Sequence, residues 1–247
     1  MIPSGIDTVF GAPKTTSRYS DCKFIVRHGF FSDHRPFIPL SKELTNRFSG
    51  STVDNRDYVW KKPVIENGIE LALTILNDYE DTDPICLIGH SMGGLVCRVA
   101  NVALTQTSDL QRHLKLLAGV TGMDFFKPAN SMAAGLRGRK VAGMVTLATP
   151  NSATLTYGQI AGWMKAVGAA APIGFPNKTA SFVDLTTDRL FKFLQFYGVN
   201  TPTLCLAIIR MVTLSRSRSL YTPSSTARMS TTSRRPNTSH INYGKNP

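Results

Sequence analysis

The stretch Ile85–Ala100, with the sequence ICLIGHSMGGLVCRVA, constrains the fold more than any other part of this 247-residue chain. Its first four residues form a short apolar run, which is typical of a parallel strand that is covered on both faces. Further apolar residues then recur at a helical spacing: Leu95, Val96, Val99 and Ala100. The sequence therefore predicts a buried strand, a tight turn that contains Ser91, and a helix.

Gly89 and Gly93 flank Ser91 in the spacing Gly-x-Ser-x-Gly. A serine at a strained strand-to-helix turn needs neighbours without a Cβ, because the strand and the helix approach each other closely there. Such a turn would raise the Ser91 hydroxyl above the sheet as a candidate nucleophile. The N–H of Met92, at the start of the helix, would then point at a developing oxyanion. The alternative is a glycine-rich turn whose serine is incidental.

Three blocks of the sequence resemble the α/β-hydrolase serine esterases and lipases, and most of all the serine esterases of the GPI inositol-deacylase-like group. The blocks are Phe24–Phe37, Gly89–Ala100 and Val141–Ser152, and the resemblance extends from about Cys22 to Leu206. It implies an α/β-hydrolase fold, in which a mostly parallel sheet carries helices on both faces. It also implies the hydrolysis of carboxylic esters by a Ser-His-acid triad, for which we expect neither a cofactor nor a metal.

The resemblance also indicates a second oxyanion donor. A His-Gly pair directly after an early strand is where these hydrolases place the loop that supplies this donor, and here the pair is His28-Gly29. The N–H of Phe30 is the candidate. For the His28 side chain we predict a contact that ties this loop to neighbouring backbone, rather than a role in acid-base catalysis.

The family order of serine, acid and histidine leaves few candidates for the rest of the triad. The histidines after Ser91 are His113 and His240, and His113 lies too soon after the Ser91 helix, so His240 is the candidate by elimination. Asp184 and Asp188 are the last acidic residues. Asp184 is the candidate acid, although a structural role suits it better, and Asp188 is predicted to stabilise a helix N-terminus.

The composition changes abruptly after the last predicted strand. Ser, Thr and Arg make up 20 of the 38 residues from Arg210 to Pro247, which predicts a disordered tail. The catalytic acid of such hydrolases commonly follows this strand, yet Arg210 and Met211 stand there. We therefore predict that the reading frame breaks here and that the fold is truncated at its C-terminal end. One alternative frame over Ile208–Arg218 permits an acid-bearing turn, provided that the Arg210 codon ends in G.

The predicted organisation is a loose segment over residues 1–21, one hydrolase domain over 22–209 and the tail over 210–247. Insertions at about 102–140 and 151–180 are expected to form a lid or shape the substrate pocket. The remaining strands are predicted at Lys23–Arg27, Thr52–Trp60, Val141–Thr149 and Pro202–Ile209. Four apolar residues of the first insertion could line an acyl site or belong to the core: Met123, Phe125, Phe126 and Met132.

The charge distribution bears on the partners. The net charge is +12, but nine basic and no acidic residues follow Asp188, which leaves 19 basic against 16 acidic residues up to that point. This pattern favours a solvated basic tail over a specific nucleic-acid site. With no apolar signal segment and no stretch as long as a membrane span, the default location is cytoplasmic, and peripheral lipid contact stays open.

The sequence thus leaves two functions to weigh. The first is a serine esterase or lipase that acts on a small-molecule or lipid ester, with turnover impaired by an incomplete triad. The alternative is a non-catalytic α/β-hydrolase-like protein that binds an acyl ligand. The pattern does not separate hydrolysis from transfer of the acyl group to an acceptor other than water.

Overall fold

The computed structural model describes residues 21–121, 123–151, 179–187, 189–197 and 201–206. All of these lie within the unit Met1–Ile209. Several predicted features lie outside the described residues: the N-terminal segment up to residue 20, most of the insertion at 151–180, Asp188, and the tail with His240.

Within the described residues, five parallel strands form one sheet in the order β2-β1-β3-β4-β5. The strands are β1 (Lys23–Arg27), β2 (Thr52–Asp54), β3 (Ile85–His90), β4 (Val141–Leu147) and β5 (Thr203–Leu206). The strand before Ser91 is the central one, with β1 on one side and β4 on the other. This sheet, together with its helices, fits the α/β-hydrolase fold predicted from the sequence.

The helices lie between the strands along the chain. They are α1 (Ile38–Arg47), α2 (Val64–Asp78), α3 (Met92–Thr105), α4 (Thr107–Ala118), α5 (Lys127–Ala133), α6 (Ala180–Thr186) and α7 (Arg189–Phe196). Single 3-10 turns precede α1 and α5, at Arg35–Phe37 and Asp124–Phe126. None of the described helices is long and apolar enough to span a membrane.

Alternating residues of β1 show how helices cover both faces of the sheet. Phe24 and Val26 are buried on one face, where apolar side chains of α1 and the residues beside it pack against them. Ile25 points to the other face and joins the main core with residues of α2 and α3. Helix α1 therefore covers this face of the sheet.

Two polar contacts fix the ends of α2. At its first residue, the Val64 N–H donates to Asp184 Oδ2 at 2.7 Å. Beyond its last turn, Arg139 Nη1 donates to the carbonyl oxygens of Ile75 and Tyr79 at 3.0 and 2.9 Å. Because the terminal N–H and C=O groups of a helix lack intrahelical partners, both contacts satisfy groups that burial would otherwise leave unbonded.

The structure corrects the second predicted strand. It ends at Asp54 rather than continuing to Trp60. Asp54 Oδ1 accepts from the N–H of Arg56 at 3.0 Å, while Asp54 Oδ2 accepts from the buried Arg27 guanidinium at 3.0 Å. These bonds turn the chain away from the sheet, so residues 55–60 form a loop at the carboxyl ends of the strands.

Other differences concern the C-terminal half. Helix α6 is absent from the sequence-based prediction, and β5 covers only Thr203–Leu206 of the strand predicted over 202–209. Of the possible acyl-site residues, Phe126 is buried in the main core, and Phe125 and Met132 pack against it. Met123 is exposed. Three of these four residues thus serve as packing between helices.

Candidate active site

Ser91 occupies a sharp turn between β3 and α3. Its backbone angles are φ 52° and ψ −123°, which L residues with a side chain rarely adopt. The Ser91 N–H donates to the carbonyl oxygen of Leu147 at 2.8 Å, and the Ser91 carbonyl accepts from Gly94 N at 3.0 Å. The turn is therefore attached to β4 on one side and to the first turn of the helix on the other.

The glycines around Ser91 are required by close backbone contacts. A Cβ on Gly89 would lie 2.4 Å from Gly94 Cα, and a Cβ on Gly93 would lie 2.2 Å from the carbonyl oxygen of His28. Real Cβ atoms essentially never approach other atoms so closely. The spacing Gly-x-Ser-x-Gly thus has the physical reason that the sequence suggests: strand, helix and the loop after β1 meet at this point.

Met92 and Phe30 are the proposed oxyanion donors. Met92 is the first residue of α3, and N–H groups in a first helical turn have no intrahelical acceptor. Phe30 belongs to the loop after β1, which passes beside the serine: a Cβ on Gly29 would lie 3.0 Å from Ser91 Cβ. The structure thus brings Ser91, Met92 and the loop with Phe30 to the same edge of the sheet.

His28 is buried at the start of this loop. Its Nδ1 lies 2.9 Å from the carbonyl oxygen of Gly29, so this nitrogen carries the hydrogen and donates. The contact agrees with the predicted role of tying the loop to neighbouring backbone. Burial lowers the pKa of His28, so the ring is held in its neutral form.

Tyr58, in the loop after β2, packs against His28 and bonds to its backbone. The Tyr58 ring stacks on the His28 ring at a centroid distance of 4.4 Å, and the Tyr58 hydroxyl donates to the His28 carbonyl oxygen at 2.9 Å. Asp57 Oδ1 lies 3.6 Å from His28 Nε2, while Asp57 Oδ2 lies 2.8 Å from His34 Nδ1. The His34 ring and the Asp57 carboxylate thus join the two loops, while His28 Nε2 has no hydrogen-bond partner among the described residues.

Asp184 is placed away from the role of a free catalytic acid. Its carboxylate binds the Val64 N–H through Oδ2, and Arg189 Nη2 lies 3.5 Å from Oδ1. Burial raises the pKa of Asp184 to about 6. These contacts are those of a residue that fastens α6 to the N-terminus of α2.

The histidines after Ser91 are not brought together with it in the described structure. His113 Nδ1 lies 2.9 Å from the Tyr197 hydroxyl, and its ring stacks on Phe193, so it packs between α4 and α7. His240 lies outside the described residues. The catalytic histidine and acid therefore stay predictions.

The sequence-based interpretation missed Tyr58 and Trp60 as neighbours of the candidate site. Their signal was present: aromatic residues that follow a strand of a parallel sheet lie at its carboxyl edge, where sites of this fold form. Assigning residues 55–60 to a longer strand hid this placement.

Arg98 joins α3 to the segment after β4. Its Nη1 donates to the carbonyl oxygen of Asn151 at 2.7 Å.

No protein-family model and no curated protein sequence matches this chain. Several solved structures are similar to it. One is the mature form of a lipase from Bacillus licheniformis, with 16% identity and a TM-score of 0.43 over 75% of this chain and 65% of the lipase. Another is an extracellular alpha/beta-hydrolase from a Paenibacillus species, with 14% identity and a TM-score of 0.34 over 70% of this chain and 64% of the hydrolase. A third is a cutinase-like protein from a Cryptococcus species, with 15% identity and a TM-score of 0.32 over 76% of this chain and 78% of that protein. This chain thus spans less than two thirds of the first two proteins.

Proposed function

We propose that this chain is a serine hydrolase that cleaves carboxylic esters through an acyl-enzyme on Ser91. The observation that carries this proposal is the backbone of Ser91, which is held at φ 52° between the central strand and α3. Strained conformations of this kind cluster at functional sites. A serine that only filled a surface turn would gain nothing from them, because glycine adopts a positive φ without strain.

In the proposed reaction, Ser91 Oγ attacks the carbonyl carbon of the ester. The N–H groups of Met92 and Phe30 donate to the carbonyl oxygen as it gains negative charge. The serine proton passes to a histidine, for which His240 is the candidate, and then to the leaving alcohol. Water releases the acyl group in a second step that regenerates the serine.

The contacts of Asp184 bear on the expected kcat for ester hydrolysis. Because the Asp184 carboxylate binds Val64 and Arg189, Asp184 is not free to act as the catalytic acid, and we expect turnover to be impaired by an incomplete triad. Loss of the acid alone can lower kcat by about 10⁴. The proposal is therefore a Ser91 that can be acylated but turns over weakly. The finer assignment is to the serine esterases of the GPI inositol-deacylase-like group, with a small-molecule or lipid ester as substrate.

Reaction of Ser91 with a fluorophosphonate probe tests the proposal. We expect the wild type and the Ser41→Ala control, whose serine lies on α1, to be labelled alike, and Ser91→Ala to remain unlabelled. Circular dichroism and thermal melting confirm that each variant is folded. Equal labelling of the wild type and Ser91→Ala would show that another residue reacts.

A second function is favoured by the same contacts. Because Asp184 and His113 are both engaged elsewhere, the chain could bind an acyl ligand on the hydrolase fold without cleaving it. Saturable binding of a fatty acyl ligand, with no labelling of Ser91 and no hydrolysis of short-chain or long-chain aryl esters, would favour this function over the first.

A further inference from the structure

Phe31 is an exposed aromatic residue with an unfavourable backbone. Its φ is 54°, and its side chain is 40% exposed. A positive φ is costly for a bulky residue because its Cβ approaches backbone atoms. Since an exposed ring gains only part of the burial energy that could offset this cost, packing in the core does not explain why Phe31 occupies this position.

The Phe31 ring is held against Trp60. The ring centroids lie 5.3 Å apart with the planes at 73°, which is an edge-to-face contact. Trp60 makes a second contact of this kind with the buried Phe30, at 5.0 Å. The half-buried Trp60 thus connects Phe31 to the core, and Phe31 and Trp60 together form an aromatic ledge.

The aromatic ledge lies near Ser91 in the fold, because the loop after β1 passes beside the serine. Gly29 passes beside Ser91, with the 3.0 Å contact described above, and Phe31 follows two residues later. Because consecutive Cα atoms are about 3.8 Å apart, the Phe31 Cα lies within roughly 12 Å of Ser91 Cβ. Phe31 directly follows Phe30, the proposed oxyanion donor, and Trp60 contacts the rings of both residues.

We propose that the aromatic ledge binds the apolar acyl chain of the ester substrate, which makes Phe31 and Trp60 the residues that favour long acyl chains over short ones. This inference rests on the proposed function of Ser91. An acyl chain that contacts the two rings buries apolar surface of the chain and of the rings, and the binding free energy gained grows with each methylene group. The strained backbone of Phe31 then has a purpose, since it presents the ring beside the reacting carbonyl.

Two alkyl fluorophosphonates, one with an ethyl and one with a dodecyl chain, test the proposal through their rates of reaction with Ser91. In the wild type the dodecyl probe is expected to react faster. In Phe31→Gly and in Trp60→Ala the ratio of the dodecyl rate to the ethyl rate is expected to fall about tenfold. Phe31→Gly is the more informative variant, because glycine relieves the backbone strain while it removes the ring.

Phe196→Ala is the matched control, because Phe196 is 66% exposed and lies on α7. Its rate ratio is expected to equal that of the wild type. A ratio that stays unchanged in the folded Phe31→Gly and Trp60→Ala variants would overturn the role of the aromatic ledge while leaving the proposed function intact.

If neither probe labels the wild type, the proposed function fails, and the aromatic ledge is tested by binding alone. A fluorescent twelve-carbon fatty acid is titrated against the Ser91→Ala protein with and without Phe31→Gly. A Kd that rises about tenfold on losing the Phe31 ring supports the acyl-chain site. An unchanged Kd, or no saturable binding, overturns it.

Discussion

At the residue scale, backbone strain marks one edge of the sheet. Among the described residues, a positive φ at a residue other than glycine occurs at Phe31, Ser91 and Ala148. Ser91 and Ala148 directly follow β3 and β4, and Phe31 lies in the loop after β1. These strands are neighbours, so strain collects at the carboxyl edge of the sheet, where the candidate site lies.

Replacing Ser91 by glycine should separate stability from reactivity. We expect Ser91→Gly to raise the free energy of unfolding by about 1 kcal/mol, because glycine adopts this backbone without strain. Ser91→Ala keeps the strain and should show no such gain, whereas both variants lose reaction with the fluorophosphonate. Urea denaturation of the three proteins measures the difference. A Ser91→Gly protein less stable than Ser91→Ala would contradict the strain argument.

Asp184 should give the stability a characteristic dependence on pH. Its pKa is raised by burial from 3.8 to about 6, so the folded state binds the proton more tightly than the unfolded state. The resulting stabilisation is full below the lower value and is lost as the pH rises through the higher one. Arg189 opposes the shift and Glu66 adds to it.

We therefore expect Asp184→Asn to become more stable relative to the wild type as the pH rises from 4 to 7. The asparagine oxygen can still accept from the Val64 N–H, so the helix contact is kept. Denaturation at several pH values measures this change. A constant difference between the two proteins would show that Asp184 does not titrate in this range.

The local structure of some of these residues could be predicted from the sequence, whereas that of others could not, for a physical reason. The Ser91 turn was predictable because its glycines, strand and helix are adjacent in sequence. The partner of Asp184 was not, because Val64 lies 120 residues earlier and meets it only in the folded chain. The exposed ring of Phe31 was equally hidden, since a local sequence does not reveal a positive φ at phenylalanine.

At the scale of elements, the contact between α2 and α3 sets the position of the Ser91 helix. Gly68 of α2 faces Val99 of α3, and a Cβ at Gly68 would lie 2.4 Å from Val99 Cβ. The two helices therefore approach closely at this glycine. Since α3 begins directly after Ser91, its packing against α2 also supports the turn.

Gly68→Ala is expected to destabilise the protein by about 1–3 kcal/mol, because the added methyl group forces the helices apart. Gly119→Ala is the control: a Cβ there meets atoms only at 3.5 Å or beyond, in ordinary contact. Thermal and urea denaturation compare the two variants. If Gly68→Ala were as stable as the control, the close helix contact would be wrong.

The elements with a regular apolar pattern were predictable, and those without one were not. Lys23–Arg27 is a strand as predicted, and α2 begins directly after Pro63, because apolar runs and helical spacing follow from local packing. Helix α6 was missed, since its buried side chains include Ser181 and Asp184. Polar residues in the core depend on partners elsewhere in the fold, which no local period reveals.

At the scale of the whole molecule, β5 has an unusual surface. It pairs with β4 on one side, yet Leu204 and Leu206 remain 44% and 43% exposed. Natural proteins generally avoid apolar edge strands, because these promote association with other chains. Among the described residues, β5 is the last strand on this side of the sheet.

Pre-steady-state reaction with p-nitrophenyl butyrate, followed by mass spectrometry of the peptides, tests most directly whether Ser91 is the nucleophile. Acylation of Ser91 followed by slower release of the acyl group predicts one equivalent of p-nitrophenolate ahead of a slower steady phase, with the butyryl group on the peptide that contains Ser91. Ser91→Ala should show neither the burst nor the modified peptide. A burst that persists in Ser91→Ala, or a folded wild type that shows no acylation of Ser91, would show that Ser91 is not the nucleophile.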